Sequence, residues 1–528
     1  MFSLPLLFST LAVANAYIWP SPTLDALESA RWDQNGHNAV GFAGFVVPCD
    51  LALQGFHSGR ANVADWVRTA YHDMATHNVE DGTGGLDASI RLSEETSRAE
   101  NPGDGFRNTL VEVTSIGIAH VSIADKLAVA TILAIENCGG PEIPFRGGRV
   151  DAGGPNTPGV PEPQQDLQSH IASFARQGFT PTEMIGLVAC GHSFGGVEHA
   201  PFPDISPEMH DPNNTLSVSH FDTTFAHFDN NVATEYISGT TQNPLVVGSN
   251  DTTNSDKRIF ASDGNVTMKS FADSPELFAS TCSNLFARML NTVPRGVQLT
   301  DVITPLPVKP SRLQLTMSGN TLKMSGEVRF WNMAADPQRT VFMLLDDHAG
   351  GTRNVTLPAA GVSTATGGRY NAAWYTLAPQ SSTSLALDAA AGVTGMRFVV
   401  DGKLEDQGGV GFAVQDGVVF SDTSCYTSNQ EPFKWRMDVA VRNGLNPTRV
   451  YLVQIGATDS IGREIAVEVD VPPPAKPVAV NANYSIWSID MTDGNFYNIE
   501  AEVDGRKLIG NDVFGYGATG LKACPTST

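Results

Sequence analysis

Leu187-Val188-Ala189-Cys190-Gly191-His192-Ser193-Phe194-Gly195-Gly196 ends an apolar run on a histidine, and Trp66-Val67-Arg68-Thr69-Ala70-Tyr71-His72-Asp73 sets a second histidine four residues after an arginine. Positions four apart on a helix share a face, so Arg68 and His72 are expected to point at one common target. His192 has no acid or second ligand beside it in the chain, the setting of a lone axial ligand to a flat cofactor. One imidazole can bind iron while another does acid–base work above it, because imidazole titrates near neutrality and is also a common metal ligand. The pair therefore predicts a haem held between two helices. The competing reading is a packed core histidine and an ordinary helix-surface pair.

Around these two segments the first half of the chain is punctuated as helices. Thr180-Pro181-Thr182-Glu183 is a capping box with proline at the first helical position, and it launches the helix that leads to His192. Ile116 to Ile135 is a long apolar-periodic stretch stopped by Asn137-Cys138-Gly139-Gly140-Pro141, and Glu276 to Leu290 reads as the last helix of this half. Near residue 300 the character changes. Thr304–Ser311 is a Pro-rich connector, and beyond it short alternating runs such as LKMSGEVRFW, TVFMLLDD, KWRMDVAVRNG and RVYLVQIGA are separated by Gly, Asp and Asn. The expected architecture is a mainly α N-terminal domain plus a β-rich, sandwich-like C-terminal domain. Its divisions are a leader at 1–16, a helical domain at 17–303, a linker at 304–311 and a β-rich domain at 312–528. Val471–Pro477 is either a second linker or a loop within one domain.

With 528 residues, two domains are the natural expectation. The net charge of −23 argues against nucleic acid or an anionic membrane as partner, and no apolar run is long enough to span a bilayer. The N-terminus is a short apolar stretch closing on Ala14-Asn15-Ala16, the pattern of a cleaved secretory leader. Sequons begin at Asn213, Asn250, Asn265, Asn354 and Asn483. Together with six cysteines they predict a secreted, disulfide-bonded glycoprotein.

Seven motifs in order then carry a resemblance. They are Arg68-x-x-x-His72-Asp73, Gly85-Leu-Asp87-Ala-Ser89, Val121-Ser-Ile-Ala-Asp125, Gly148-Arg-Val-Asp151, Pro161-Glu-Pro163, Gly191-His192-Ser193, and Phe221-Asp222-x-Thr224 followed by Asp229. Over roughly residues 40 to 295 the chain resembles the secreted class II (ligninolytic-type) fungal haem peroxidases of the plant peroxidase superfamily. The resemblance implies haem b, with His72 as acid–base group, Arg68 stabilising charge on the departing oxygen, and His192 as iron ligand. It implies an Asn tied to a Glu behind the distal histidine, for which Asn101 and Glu95 are the candidates, and a carboxylate behind the proximal one, for which Asp263 is the candidate. Phe221 is expected against the proximal histidine.

Two calcium ions are implied as well. The distal set is Asp73, Gly85, Asp87 and Ser89; the proximal set is Ser193, Asp222, Thr224, His227 through its carbonyl, and Asp229. Since Asp73 and Ser193 directly follow the two histidines, each ion is expected to anchor one of them. Cys49 and Cys138 are expected to pair, and Cys425 and Cys524 to staple the β half. Cys190 is either a buried thiol or the partner of Cys282.

Hydrogen peroxide and small phenolic or other aromatic reductants are the expected substrates. Manganese(II) is an alternative reductant, because the positions of a metal-oxidising site fall on Ala61, Asp65 and Glu198, two of them acidic. The position of a surface radical tryptophan falls on Leu187. The β-rich half, with Trp331, Trp374, Trp435 and Trp487, raises polysaccharide contact through aromatic platforms, or a domain covering the haem edge. A non-catalytic secreted binding or structural protein on the same scaffold is the reading from a different class.

Overall fold

The computed structural model describes residues 21–380, 382–427, 434–475, 478–479, 481–492, 495–510 and 521–524; the leader expected at 1–16 lies outside them. Among the described residues, helices dominate from Pro22 to Leu290 and strands from Val308 onward, the change of character anticipated from sequence.

Within the helical half, the distal helix spans Asn62–Met74. Val63, Trp66, Val67, Ala70 and Met74 recur at helical spacing and are buried in the main core. Ala64, Arg68, Tyr71 and His72 form the opposite stripe. The helix Ile123–Asn137, capped by the Ser122 side chain on the Asp125 N–H, is buried around nearly its whole circumference and forms the centre of the domain. The apolar stretch from Ile116 is helical only from Ile123. The segment before it is broken by Gly117 and by His120, whose φ is +63°, and Ser122 then restarts the chain as an N-cap. The proximal helix, Pro181–Gly191, starts at the expected capping box, with both reciprocal hydrogen bonds present. It ends on His192 as its C-cap residue. The disulfide Cys190–Cys282 ties it to the helix Pro275–Leu290, and Cys49–Cys138 ties the approach to the distal helix to the end of the central one.

In the β half, a large mixed sheet is covered on its two faces. Val418, Phe420, Val439 and Val441 point into one core, whereas Val419 and Ala440 between them point into another. The first core is closed by the strands Arg449–Gln454 and Tyr497–Val503, and the second by Val341–Asp346, Thr352–Thr356 and Gly395–Val400. Burial on both faces explains why Val439, Ala440 and Val441 break the alternation with three apolar residues in a row. Strands before and after Val471–Pro477 pair directly, Lys434–Arg442 with Tyr484–Met491 and Arg449–Gln454 with Tyr497–Val503. The described residues on both sides of 471–475 therefore belong to one unit. The expected linker 304–311 is also shorter than its composition implied. Val308 to Ser311 already pair with Phe330 to Glu327, since a proline is tolerated where the ladder does not require its N–H. Cys425–Cys524 staples this half.

The two halves are joined through the first helix, Pro22–Trp32. Glu28 and Asp33 meet Arg329, and Lys309 reaches Glu28 and Asp25, with the Glu28, Lys309 and Arg329 side chains fully enclosed. Asn35–Gly36 adds a short strand beside Ser363–Thr364.

Candidate active site

A cavity of about 560 Å³ lies between the distal and proximal helices, within the range of cofactor pockets. Ala64, Arg68, Tyr71 and His72 line it from one helix, and Leu187, Val188, Gly191 and His192 from the other. Leu245, Ile259 and Phe286 add apolar wall. Among the described residues, none beyond Met289 lines the cavity, so the described part of the β half leaves it uncovered.

His72 is tied back through Nδ1, 2.7 Å from Asn101 Oδ1. The amide of Asn101 is oriented in turn, because its Nδ2 donates to the Glu95 carbonyl at 2.8 Å. The oxygen must then face the ring, so Nδ1 carries the proton and Nε2 presents a lone pair. Here the structure corrects the expected detail: Asn101 is held by the backbone of Glu95, while the Glu95 carboxylate accepts from the Asn156 N–H. Burial and the neighbouring Arg68 cation push the His72 pKa down to about 3, so the imidazole is neutral at any ordinary pH. Arg68 donates to the Pro102 carbonyl at 2.9 Å and lies 4.3 Å over the Phe106 ring, which also packs 4.8 Å from the His72 ring. Burial lowers the Arg68 pKa to about 10, leaving a cation at neutral pH.

On the proximal side, the His192 ring stacks on Phe221, with centroids 4.0 Å apart and planes 14° from parallel. Its Nδ1 is 2.7 Å from Oδ2 of Asp256, an acid nearly fully buried and also bonded by Asn243 Nδ2 at 2.8 Å. The carboxylate expected at Asp263 is thus Asp256. Asp263 instead caps the helix Val266–Asp273, accepting from the backbone of Val266 and Thr267 and from the Thr267 hydroxyl. The misassignment has a physical origin. Asp256 lies within the short helix Ser255–Phe260, whose Ser255, Asp256 and Ile259 line the cavity, whereas Asp263 lies beyond its end and does not. Asp256→Asn is expected to alter the proximal ligand's basicity and cost about 10–100-fold in activity, whereas Asp263→Asn changes only helix stability. Steady-state assays of the two variants side by side check this, and equal activities would remove Asp256 from the site.

The expected cation sets differ in character. Asp73 accepts from the N–H groups of Asp87, Ala88 and Ile90 and from the Ser89 hydroxyl. The amide of Asn156 lies 2.9 and 3.0 Å from the two Asp87 oxygens and 3.0 Å from Ser89 Oγ. An amide NH₂ therefore stands where the distal ion was expected, and the donor set does not fit a metal. Gly85 serves the backbone: its φ is +121° and a Cβ would lie 2.8 Å from the Thr292 carbonyl. The proximal set is different. Asp222 Oδ2 is buried with no partner, and burial together with Asp229 and Glu235 raises the Asp222 pKa to about 7. Asp229 accepts from the Asn231 N–H, Thr224 donates to Asp222, and Ser193 donates to the Cys190 carbonyl. An orphaned carboxylate oxygen beside a second acid fits one hard cation, which Ser193, Asp222, Thr224, the His227 carbonyl and Asp229 would hold.

At the cavity mouth, Asp65 and Glu198 come together as expected, and a third acid unnoticed in the sequence, Asp104, joins them. Arg60 already occupies their centre, at 2.7 Å from Asp65, 2.6 Å from Asp104 and 3.2 Å from Glu198. Ala61 is buried at the N-cap of the distal helix, and Leu187 is buried. Trp374 and Trp435 are core residues, and Trp331 packs edge-on against Trp32. Trp374 and Trp435 are therefore not available as a sugar platform, whereas Trp331 and Trp487 are half-buried.

Residues 52–274 match the Peroxidase family model. The chain is 40% identical over 315 residues to a WSC domain-containing protein of Arthroderma benhamiae, a match covering 59% of this chain and 43% of that protein. It is 32% identical over 143 residues to the peroxisomal L-ascorbate peroxidase 5 of Arabidopsis thaliana, covering 27% of this chain and 51% of the relative. With a mitochondrial cytochrome c peroxidase of Emericella nidulans it shares 34% identity over 133 residues, 24% of this chain and 37% of the relative. The chain thus spans about half or less of each relative's own length. Residues 52–274 form a peroxidase domain of the plant peroxidase superfamily; the likeness does not single out the class II type.

Proposed function

We propose that this chain is a secreted haem peroxidase that reduces hydrogen peroxide at the expense of small organic one-electron reductants. The observation that carries the reading is the pair of tethered imidazoles. His72 and His192 each have Nδ1 tied to a protein group, and both line one cavity. A haem bound there would supply the iron that takes one peroxide oxygen and stores two oxidising equivalents. His192 would be its ligand through Nε2, with Asp256 raising the basicity of the ring. His72 Nε2, which carries the lone pair, would take a proton from one oxygen of hydrogen peroxide and return it to the other, which would leave as water. Arg68, a fixed cation on the same helical stripe, offsets the negative charge developing on that oxygen. Overall, hydrogen peroxide and two reductants AH give two waters and two radicals A. A twofold ratio of phenol oxidised to peroxide consumed supports the reading; haem binding without turnover favours the non-catalytic scaffold.

Organic reductants are favoured over manganese because Arg60 fills the space a dication would need. Arg60→Ala is expected to create manganese(II) binding measurable by calorimetry where the parent has none. Binding by the parent would restore the manganese reading.

One hard cation, calcium being the natural choice, is assigned to the proximal set. In the metal-free protein the raised pKa of Asp222 favours its protonated form. That contribution is present below about pH 4 and is lost as pH rises towards 7, on the order of 4 kcal/mol. Calcium should therefore raise the melting temperature more at pH 8 than at pH 5, where protons compete for the site. No calcium effect at pH 8 would remove this assignment. Secretion is supported by three disulfides and by exposed sequon asparagines at 213, 250, 265 and 354.

A further inference from the structure

The β half also touches the peroxidase domain away from the buried charges of the first helix and from the contact of Thr366–Tyr370 with Glu136–Glu142. The loop from Thr458 to Glu464 is a tight turn organised by Asp459. The Asp459 carboxylate accepts from the N–H groups of Ile461 and Arg463 and from Arg463 Nε. This turn lies against the peroxidase domain at Arg91, His120 and Gly153. Glu464 accepts from the His120 N–H at 2.8 Å, and a Cβ at Gly153 would lie 3.1 Å from Arg463 Nη1. The carbonyl of Ile461 accepts from Arg91 Nε at 3.1 Å.

Arg91 is the junction. Its other two nitrogens donate to the carbonyls of Ala88 and Ala152, so one planar fork pins three chain segments at once. From there the hydrogen bonds continue inward. Ala152 donates to the Asp87 carbonyl, Asp73 collects the N–H groups of Asp87, Ala88 and Ile90, and Asn156 bridges Asp87, Ser89 and Glu95. Glu95 holds Asn101, and Asn101 holds His72. The amide of Asn156 holds the loop at 87–91 through Asp87 and Ser89.

We propose that the Thr458–Glu464 loop, acting through Arg91, is a positioning brace for the distal histidine, so that the β-rich half sets the geometry of the peroxide-cleaving group. Arg91 and Asp459 are positioning residues, because neither lines the cavity. The assignment rests on His72 being the acid–base group, and the two ideas can fail separately.

The test uses the full chain as Arg91→Ala, Arg91→Lys, Asp459→Ala and the Arg91→Ala/Asp459→Ala double variant, with Arg329→Met disturbing the contact at the first helix. The first readout needs no haem: hydrogen exchange across residues 87–101 and the nitrogen NMR signal of the His72 Nδ1–H. Arg91→Ala and Asp459→Ala should each speed exchange there and broaden or shift the His72 signal. Arg91→Lys, unable to make the three-way fork, should not rescue them, and the double variant should add little to the larger single effect. The haem-loaded variants should react with peroxide about tenfold more slowly, with reductant oxidation unchanged. Arg329→Met should lower stability and leave 87–101 and His72 as they were. Unchanged exchange and an unchanged His72 signal in both single variants, or fully additive effects in the double, would overturn the brace. If exchange responds as expected but the parent never reacts with peroxide, the brace stands and the catalytic reading of His72 falls.

Discussion

With His72 replaced by alanine, the haem-loaded protein should keep its Soret band and lose about 10²–10⁴-fold of its rate constant for hydrogen peroxide. The cofactor would be held from the opposite side, by His192, so binding is not the property at risk. What disappears is the only imidazole on the distal stripe, poised to take and return one proton at Nε2. The pH profile of the parent sharpens the point. Burial and Arg68 hold the His72 pKa down near 3, so the basic form is populated above that value and lost as pH falls through it. The peroxide reaction is therefore expected to be flat across the neutral range and to decline only on approach to pH 3. A rate within a factor of a few of the parent for His72→Ala would remove the acid–base role.

Replacing His192 by alanine should have the opposite signature: loss of haem coordination. On this face the Phe221 ring stacks on His192, and Asp256 orients it from behind. The variant is expected either to bind no haem or to bind it without an axial imidazole, with a shifted Soret band and no peroxidase activity. Added imidazole, small enough to enter the vacated space, should restore part of the coordination spectrum. Tight haem binding with an unchanged spectrum would show that the iron is held elsewhere. Together, the two variants separate holding the cofactor from cleaving the peroxide.

What could be read from the chain was what helical spacing encodes. The stripe Ala64, Arg68, Tyr71, His72 and the capping box before His192 were legible because residues three and four apart on a helix share a face. The change to strands near residue 300 was legible because the period of apolar residues changes. Contacts assembled across long loops were not. Asp256 and Asp263 are seven residues apart and equally acidic, and only the packing of one short helix decides which reaches His192. Asp104 and Arg60 joined Asp65 and Glu198 through three separate segments, none of which carries a local signal for the others. The distal set resembled a calcium site by residue type, but Asn156, more than sixty residues downstream of Asp87, fills its centre. Nor did the local sequence hint that a turn near residue 460 would touch the distal loops.

The account stands most directly on the stopped-flow absorbance of the haem-loaded parent after mixing with one equivalent of hydrogen peroxide. A rapid shift of the Soret band, reversed by two equivalents of a one-electron phenolic reductant and slowed by about 10²–10⁴-fold in His72→Ala, is the predicted result. A protein that takes up no haem, or whose Soret band does not respond to peroxide, would contradict it.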